Sequence, residues 1–239
     1  MPIPYSATTY PSRHYSCRHP PGFPTRQTIM PPVQEKGHPT FPFCVIDCEG
    51  FTPCRACQCS GDDPESKGRS FYLQEICIIG FNEKYEQNIF HTRVIVPPKL
   101  CRAIMNCKDC RNSAKYVISN LTGLPLQHPY DHLCSMSYGA ARAIALQFIA
   151  QYGGAVWAKG KKLEQDYLGP EIRVRELEDL GCPKASQSLH CHYHQPVSPG
   201  GRTHCALFDV YSYIKWIFSS PPTRTTLHDP PMLFVTAQE

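Results

Sequence analysis

Two carboxylates close a short apolar run in the first third of the chain. The run FCVI leads directly into Asp47 and Glu49, with only Cys48 between them. A run of this length predicts a buried strand, and residues two apart on a strand point to the same face. Because buried charge is costly unless it is paired or bound to metal, the spacing predicts that Asp47 and Glu49 bind a divalent cation together.

Two later segments contain the other groups that such a cation site needs. Glu164 lies in KKLEQDYL, a short predicted helix, just before Tyr167 and Leu168. His204 precedes the last predicted helix, and Asp209 lies five residues further on, one turn into that helix. Each motif alone is weak, but together, in chain order and at the ends of predicted elements, they indicate one site.

In order and spacing these segments resemble the motifs of the DEDDh 3′–5′ exonucleases, which belong to the ribonuclease-H-like superfamily. That family has Asp-x-Glu at the end of its first strand, which corresponds to Asp47 and Glu49. Its His-x4-Asp motif corresponds to His204 and Asp209. Its second motif has Asp where this chain has Glu164, which is one methylene longer. The resemblance implies a ribonuclease-H-like α/β fold, in which helices flank a mixed β-sheet.

The resemblance also implies a two-metal reaction. Two Mg²⁺ or Mn²⁺ ions about 4 Å apart would clamp the attacking and leaving oxygens of a phosphodiester, and Mg²⁺ favours oxygen ligands. Asp47 would bridge both ions, Glu49 and Asp209 would hold the first, and Glu164 would hold the second through water. His204 would take the proton of the attacking water, which an ordinary imidazole pKa of about 6.5 permits.

A second group of metal ligands is predicted in LHCHYHQPVSPGGRTHCALF. Cys191 and His194 have the spacing of a short chelate, and Cys205 follows after ten residues. Zinc binds Cys and His tetrahedrally, so the segment predicts a zinc site that braces the loop before the last helix. His190 and His192 stay open as alternative ligands.

This second group is similar to the Cys-x2-His and Cys-Ala-Leu segments of the Maelstrom domain, a divergent branch of the same exonuclease fold. That domain has a Glu-Cys-His-Cys zinc site, and FYLQEICIIGF resembles the strand that carries its Glu. The resemblance covers about residues 43–217 and implies these zinc ligands: Glu75, Cys191, His194 and Cys205. Animal members have typically lost the exonuclease carboxylates, whereas this chain carries both sets.

Two further Cys pairs allow a second zinc site. CRACQC and CKDC would supply an all-Cys site, although their separation of about fifty residues is long for a compact zinc ribbon. Unpaired thiols or labile disulfides are the alternatives. The residues concerned are Cys54, Cys57, Cys107 and Cys110.

A run of lysines lies just before Glu164. KGKK contains Lys159, Lys161 and Lys162. These side chains would contact a nucleic-acid backbone or form an ordinary solvated charge run.

The elements that must position these groups begin with three successive strands. They are predicted over 43–48, 71–82 and 87–96, with hairpin-like connections that suggest an antiparallel edge. A helix is predicted over 137–153 with Ser137 as its N-cap. The remaining predicted elements are a strand in AVWAKG, a helix in KKLEQDYLG, a strand in IRVREL and a closing helix in CALFDVYSYIKWIF. This order predicts an α/β domain with a mixed sheet flanked by helices.

Length and composition fit one domain with two tails. The chain has 239 residues, is 41% hydrophobic and has a net charge of +4. Residues 1–42 and 219–239 are Pro-rich and are predicted to be disordered tails around a domain over 43–218. Fourteen Cys without a secretory signal predict an intracellular protein, cytoplasmic or nuclear or both. The chain has no long apolar run, so we expect no membrane span.

Two functions are compatible with these motifs. The first is a metal-dependent nuclease for single-stranded nucleic acid, a 3′–5′ exonuclease with RNA favoured. The second is a zinc-braced module of the Maelstrom type that binds RNA or protein without cleaving it. The mildly basic charge permits a nucleic-acid partner without demonstrating one.

Overall fold

The protein folds into a mixed β-sheet with helices on both faces. The structure is a computed structural model, and it describes residues 39–52, 71–127, 135–185, 190–195, 197–198 and 203–219. Most of the two predicted tails, and also Cys54 and Cys57, lie outside these residues. The strands are β1 (Phe43–Phe51), β2 (Tyr72–Phe81), β3 (Gln87–Val94), β4 (Ser135–Met136), β5 (Val156–Ala158) and β6 (Val174–Glu176). The helices are α1 (Pro98–Asn106), α2 (Lys108–Val117), α3 (Tyr138–Ala150), α4 (Lys162–Leu168) and α5 (Ala206–Ser219). A π-helical turn (Ile118–Thr122) follows α2, and a short 3-10 helix (Glu178–Leu180) follows β6.

The sheet has the strand order β4-β3-β2-β1-β5-β6. Strand β2 pairs antiparallel with β1 and β3, whereas the pairs β1–β5, β5–β6 and β3–β4 are parallel. The predicted α/β class with a mixed, helix-flanked sheet is therefore confirmed. The predicted antiparallel edge is corrected, because the two-residue strand β4 pairs with the outer side of β3.

The alternation of side chains along the strands divides the core between two helices. On one face, Cys44, Ile46 and Cys48 of β1 pack in a cluster with Ala141, Ala145 and Ile149 of α3. On the other face, Phe43 and Val45 pack in a cluster with Val210, Ile214 and Ile217 of α5. Each fully buried aliphatic side chain of this kind contributes about 1.5–3 kcal/mol of transfer free energy. The odd-numbered residues of β1 thus face α5, and this series continues to Asp47 and Glu49.

The segment 97–128, which has no clear pattern in the sequence, contains α1, α2 and the π-helical turn. Pro98 begins α1, which suits a proline because the first helical turn lacks backbone partners. The prediction for α3 is confirmed at its start, where the Ser137 hydroxyl accepts a hydrogen bond of 3.2 Å from the Ala140 amide. Among the described residues no helix has the length and apolar character needed to span a membrane.

Candidate metal centres

The first candidate centre lies at the second half of β1, on the face that packs against α5. Asp47 is buried there, and Glu49 is half-buried. Both lie opposite β2, where Cys77 is the partner of Asp47 and Glu75 is the partner of Glu49. The sheet register therefore places two carboxylates on one strand beside a third on its neighbour.

Helices α4 and α5 add one carboxylate each. Glu164 of α4 is 2% exposed and Asp209 of α5 is 4% exposed. The Glu164 carboxyl accepts hydrogen bonds from the backbone N–H of Cys48 and from its own N–H. Candidate ligand atoms of Glu49, His204 and Asp209 lie within 4.8 Å of one another. The structure thus brings all five residues of the predicted carboxylate site to one end of β1.

Burial raises the pKa values of Asp47, Glu49 and Glu164, and like charges raise those of Asp47 and Glu49 further. Burial raises the pKa of Asp47 well above its usual range, and like charges raise it further, in the order Glu49, Asp209, Glu164 and Glu75. Burial, followed by the charges of Asp209 and Glu75, also raises the pKa of Glu49 well above its usual range. Burial raises the pKa of Glu164 to about 8. Such a cluster is costly in ionised form unless cations neutralise it.

Two buried oxygens at this centre have no hydrogen-bond partner among the described residues. They are Oδ2 of Asp47 and Oε2 of Glu164. Buried polar atoms are nearly always paired in folded proteins, so each calls for a partner that the protein does not itself supply. Oxygen donors of this number and type fit a hard divalent cation.

His204 borders the same centre from the solvent side. Its side chain is 45% exposed, and its Nδ1 lies 3.6 Å from Oδ2 of Asp209. That separation is too long for a direct hydrogen bond. The backbone N–H of His204 donates to the Leu121 carbonyl at 2.7 Å, which ties the start of α5 to the π-helical turn.

Tyr213 also lies at the carboxylate centre, one helical turn after Asp209. Burial raises the pKa of its hydroxyl above the usual range, and the charges of Asp47 and Asp209 raise it further. The hydroxyl therefore stays protonated beside the carboxylates. The sequence analysis did not single it out, although its position four residues after Asp209 places it on the same helix face.

The second candidate centre is the group Glu75, Cys191, His194 and Cys205, and it could hold a metal ion such as zinc. One ligand atom from each residue lies within 4.8 Å of all the others. His194 Nε2 is 3.0 Å from Glu75 Oε2, and Cys191 Sγ is 3.2 Å from Glu75 Oε1. Cys205 Sγ is 3.7 Å from the same Oε1. The four residues implied by the Maelstrom resemblance are thus brought together from β2, the Cys/His loop and the start of α5.

The backbone around His194 fixes which of its ring nitrogens is available. Nδ1 of His194 hydrogen-bonds to the Thr122 carbonyl, a pure acceptor, so Nδ1 carries the proton. Nε2 lies 3.0 Å from Glu75 Oε2 and donates a proton to this carboxylate, and it would give up that proton to bind a metal. Metal-bound histidines typically show this arrangement, in which the outer nitrogen donates to a backbone carbonyl.

The charges in this cluster are strongly coupled. Burial would raise the pKa of Glu75, but hydrogen bonds from His194 and His91 hold it well below its usual range. Burial would lower the pKa of His194, but its contacts with Cys205 and Glu75 raise it to about 11. The hydrogen bond between the two thiols raises the pKa of Cys191, and contacts with Cys191 and His194 lower that of Cys205 to about 6 despite burial. A carboxylate and a thiolate in one buried pocket suit a dication.

His91 is a further member of this cluster that the sequence analysis missed. Its Nε2 lies 2.7 Å from Glu75 Oε1 and 3.9 Å from Cys191 Sγ. It lies on β3 opposite Cys77, on the same face as Glu75. The sequence signal for His91 is the turn at Asn82. Once that turn is recognised, a tight hairpin between β2 and β3 fixes the register that places His91 opposite Cys77.

The alternative ligands His190 and His192 are not in the cluster. Both are exposed. Nδ1 of His190 lies 3.3 Å from the carbonyl of Cys191, and the ring of His192 packs at 4.1 Å on Tyr193.

The predicted all-Cys zinc site is only half described. Cys107 is the N-cap residue of α2, and Cys110 is buried in its first turn. Cys54 and Cys57 lie outside the described residues. The hydroxyl of Ser113 on α2 donates to the Thr52 carbonyl at 3.2 Å, so the chain reaches the neighbourhood of α2 two residues before Cys54. The second zinc site stays a prediction.

The lysine run before α4 lies among acidic partners. Nζ of Lys159 is 3.5 Å from Glu178, and its side chain is only 8% exposed. Nζ of Lys162 is 3.0 Å from Asp166. The amide of Lys161 donates to Glu176, and its side chain is exposed. A role for these lysines in binding a nucleic-acid backbone stays a prediction.

Comparisons of the chain with protein-family models, with curated proteins and with solved structures found no match.

Proposed function

We propose that this chain is a metal-dependent nuclease with a ribonuclease-H-like fold that hydrolyses phosphodiesters of single-stranded nucleic acid, acting as a 3′–5′ exonuclease with RNA as the favoured substrate. The observation that carries the proposal is the pair of buried, unpartnered oxygens of Asp47 and Glu164 within a cluster of like-charged carboxylates. A sheet in which only β2 runs against the other strands, with the carboxylates on central β1, supports the proposed fold.

The cluster assigns a role to each residue. Asp47, Glu49, Glu164 and Asp209 would hold Mg²⁺ or Mn²⁺, which supplies charge neutralisation for the attacking and leaving oxygens. His204 is half-exposed beside Asp209 and takes a proton from the attacking water.

The zinc cluster has a structural role in this proposal. Its ligand Cys205 lies between His204 and the first residue of α5, and the Ala206 amide donates to Glu75 at 3.0 Å. Zinc at this point would fix where α5 begins and therefore where Asp209 points. Structural zinc sites of this kind contribute directly to folding.

A zinc-braced binding module is the second candidate function. The observation that favours it is the buried group Glu75, Cys191, His194 and Cys205, whose ligand atoms lie within 4.8 Å of one another. The Cys/His cluster would then be the functional centre of the domain, presenting a rigid surface to RNA or protein.

One nuclease assay separates the two functions. End-labelled single-stranded RNA and DNA are incubated with the wild type, with Asp47→Asn and with the matched control Asp179→Asn, whose carboxylate is exposed on the 3-10 helix. Mg²⁺ or Mn²⁺ is supplied. We expect stepwise shortening from the 3′ end by the wild type and the control, and its loss in Asp47→Asn. Absence of cleavage by folded, zinc-loaded wild type that still binds RNA would refute the nuclease and leave the binding module.

A further inference from the structure

Helices α1 and α2 present a dense patch of exposed positive charge. Between Pro98 and Val117 there are five basic side chains and one acidic side chain, Asp109. The basic residues are Lys99, Arg102, Lys108, Arg111 and Lys115, and all are exposed except the half-buried Arg111. We call these five residues the basic face. Lys108, Arg111 and Lys115 are spaced three and four residues apart, so they form one stripe along α2.

An aromatic ring lies beside this stripe without a role in the core. Tyr116 is 60% exposed and Met105, at the end of α1, is 42% exposed. They are two of the three large apolar side chains that are exposed in the described part of the chain, the third being Ile144. Proteins that bind single-stranded nucleic acid combine a basic track with such exposed rings, on which bases stack.

The packing of α1 and α2 places the basic face next to the carboxylate centre. Both helices cover Phe51 and Tyr72, at the end of β1 just beyond Glu49. Helix α2 runs directly into the π-helical turn, where the Leu121 carbonyl accepts the backbone N–H of His204. At 1.5 Å per helical residue, Lys115 lies about 9 Å and Lys108 about 20 Å from Leu121 along the axis.

The basic face differs from the lysine run at the start of α4, because none of its five side chains forms an ion pair with another residue that the structure describes. Two lysines of that run are paired with Glu178 and Asp166. On α2 the guanidinium of Arg111 donates to the Met105 carbonyl, which leaves its positive charge without a neutralising carboxylate in that contact. A surface with this net charge suits a polyanion.

We propose that the basic face binds the phosphate backbone of the single-stranded nucleic acid whose end enters the carboxylate centre, and that Tyr116 stacks on one of its bases. This inference rests on the proposed function, because that function puts a polyanion at the neighbouring centre. The strand would run from the end of β1 along α2, from Lys115 towards Lys108.

The test is the salt dependence of binding in a buffer without Mg²⁺ or Mn²⁺, where the zinc is retained. The probe is an end-labelled oligouridylate of about 16 nucleotides. Each phosphate contact to a single strand contributes about 0.7 to the slope of log affinity against log salt. We expect the variant Lys108→Ser/Arg111→Ser/Lys115→Ser to lower this slope by about 2 and the affinity at low salt roughly tenfold.

Matched variants distinguish binding at the basic face from a nonspecific effect of the protein's net charge. The control Lys84→Ser/Lys184→Ser/Lys215→Ser removes the same charge from exposed sites on other elements and should leave the slope within experimental error. The double variant Lys108→Ser/Lys115→Ser retains the Arg111 contact and should show about two thirds of the effect. Tyr116→Ala should weaken binding several-fold, whereas Tyr116→Phe, which retains the ring, should not.

The outcomes separate this inference from the proposed function. Equal slopes for the basic-face variant, the control and the wild type would overturn the basic face as a binding surface, whether or not RNA is cleaved. A lowered slope for the basic-face variant alone would support the surface even if the wild type cleaved nothing in Mg²⁺. If the folded wild type neither binds nor cleaves RNA, both proposals are refuted.

Discussion

The side chain of Glu164 is one methylene longer than that of aspartate, and its carboxyl contacts the backbone of β1. The exonuclease motifs that the sequence resembles have Asp at the corresponding position, and the Glu164 carboxyl accepts a hydrogen bond from the backbone N–H of Cys48 on β1. We expect an aspartate at this position to lose that contact unless α4 moves, because its side chain is one methylene shorter.

We expect Glu164→Asp to lower kcat/KM on labelled RNA roughly 10- to 100-fold, because a displacement of about 1 Å at a reacting centre has effects of this size. Glu164→Gln retains the length and the contact with Cys48 but loses the charge, so its activity should be lower still. The measurement is single-turnover cleavage in Mg²⁺. Activity of Glu164→Asp equal to the wild type would contradict this account of the spacing.

The raised pKa of Glu164 should make the stability of the fold depend on pH in buffer without Mg²⁺ or Mn²⁺. The pKa of Glu164 is raised from 4.5 to about 8 by burial, so between these values the folded protein holds a proton that the unfolded chain has released. The free energy of unfolding should therefore fall as pH rises through this window, by up to about 1.4 kcal/mol per pH unit. Urea unfolding at several pH values measures it. Glu164→Gln should remove this contribution to the slope, and an unchanged slope would contradict the assignment.

His91 is expected to position the zinc ligand Glu75 rather than to bind zinc itself. Its Nε2 lies 2.7 Å from Glu75 Oε1, and partners of this kind typically change metal affinity 10- to 100-fold. We expect His91→Ala to weaken zinc binding by about this factor, measured by competition with a chromophoric chelator.

His190→Ala is the matched control for this measurement, since His190 is an exposed histidine next to the cluster. His91→Gln retains a donor and should recover part of the affinity. Equal zinc affinity for His91→Ala and His190→Ala would contradict the role of His91.

At the scale of elements, the cluster of Glu75, Cys191, His194 and Cys205 joins strand β2 and the start of α5 to a loop that has no regular structure of its own. Residues 190–195 contain no helix or strand, and they are held by contacts with the turn after α2: the Gln195 amide donates to the Gly123 carbonyl at 2.8 Å. Gly123 has a φ of +68°, and a Cβ there would lie 2.1 Å from the Gln195 carbonyl oxygen. The close approach of the two segments therefore requires glycine at this position.

Removal of zinc should loosen these segments while the sheet stays folded. The contacts that depend on the cluster are those of His194 with Thr122 and of Ala206 with Glu75. We expect faster amide hydrogen exchange over 121–123 and 203–209 in zinc-depleted protein, measured by mass spectrometry. The segment 141–149 of α3, on the opposite face of the sheet, is the internal control. Uniformly faster exchange would instead indicate that zinc holds the whole domain together.

The sequence predicted those elements whose ends and buried faces are marked by nearby residues, and it missed those that depend on distant contacts. Ser137 and the glycines after α3 define that helix in the sequence, and Val210, Ile214 and Ile217 mark the buried stripe of α5. Helix α1 is only nine residues long, and its buried Leu100 and Ile104 are too few to set a period; α2 buries only Cys110 and Ala114, which do not form an obvious apolar stripe. Strand β4 has two residues, too few for any periodicity.

Residues of the candidate site can be recognised in the sequence when they interrupt an apolar pattern. They are missed when their role depends on which strands pair. Asp47, Glu49 and the His204–Asp209 motif stand out because charged residues at the ends of apolar runs are unusual. His91 does not stand out, because its role depends on the register between β2 and β3. Contacts that arise only when strands pair cannot be recognised from spacing along one strand.

At the scale of the whole molecule, the two candidate centres share the same structural elements. Glu49 and Glu75 are direct partners across β1 and β2. Cys205, immediately before α5, precedes Asp209 of the carboxylate cluster by four residues, and the Asp209 amide donates to the Cys205 carbonyl at 2.9 Å. Because one hydrogen-bonded turn joins the two centres, we expect a change at one to affect the other.

This arrangement predicts that Mn²⁺ binding depends on zinc. In zinc-loaded wild type, Mn²⁺ at about 100 times its dissociation constant should stabilise the fold by about 2.7 kcal/mol, which corresponds to a rise in Tm of roughly 5–10 °C for a domain of this size. Cys191→Ser, which removes a zinc ligand but no carboxylate, should show a much smaller rise because Asp209 is no longer held. Cys101→Ser on α1 is the control and should respond like the wild type. Since coupling between sites is reciprocal, Mn²⁺ should also slow the loss of zinc to a chelator. An equal response to Mn²⁺ in Cys191→Ser and wild type would show that the two centres bind their ions independently.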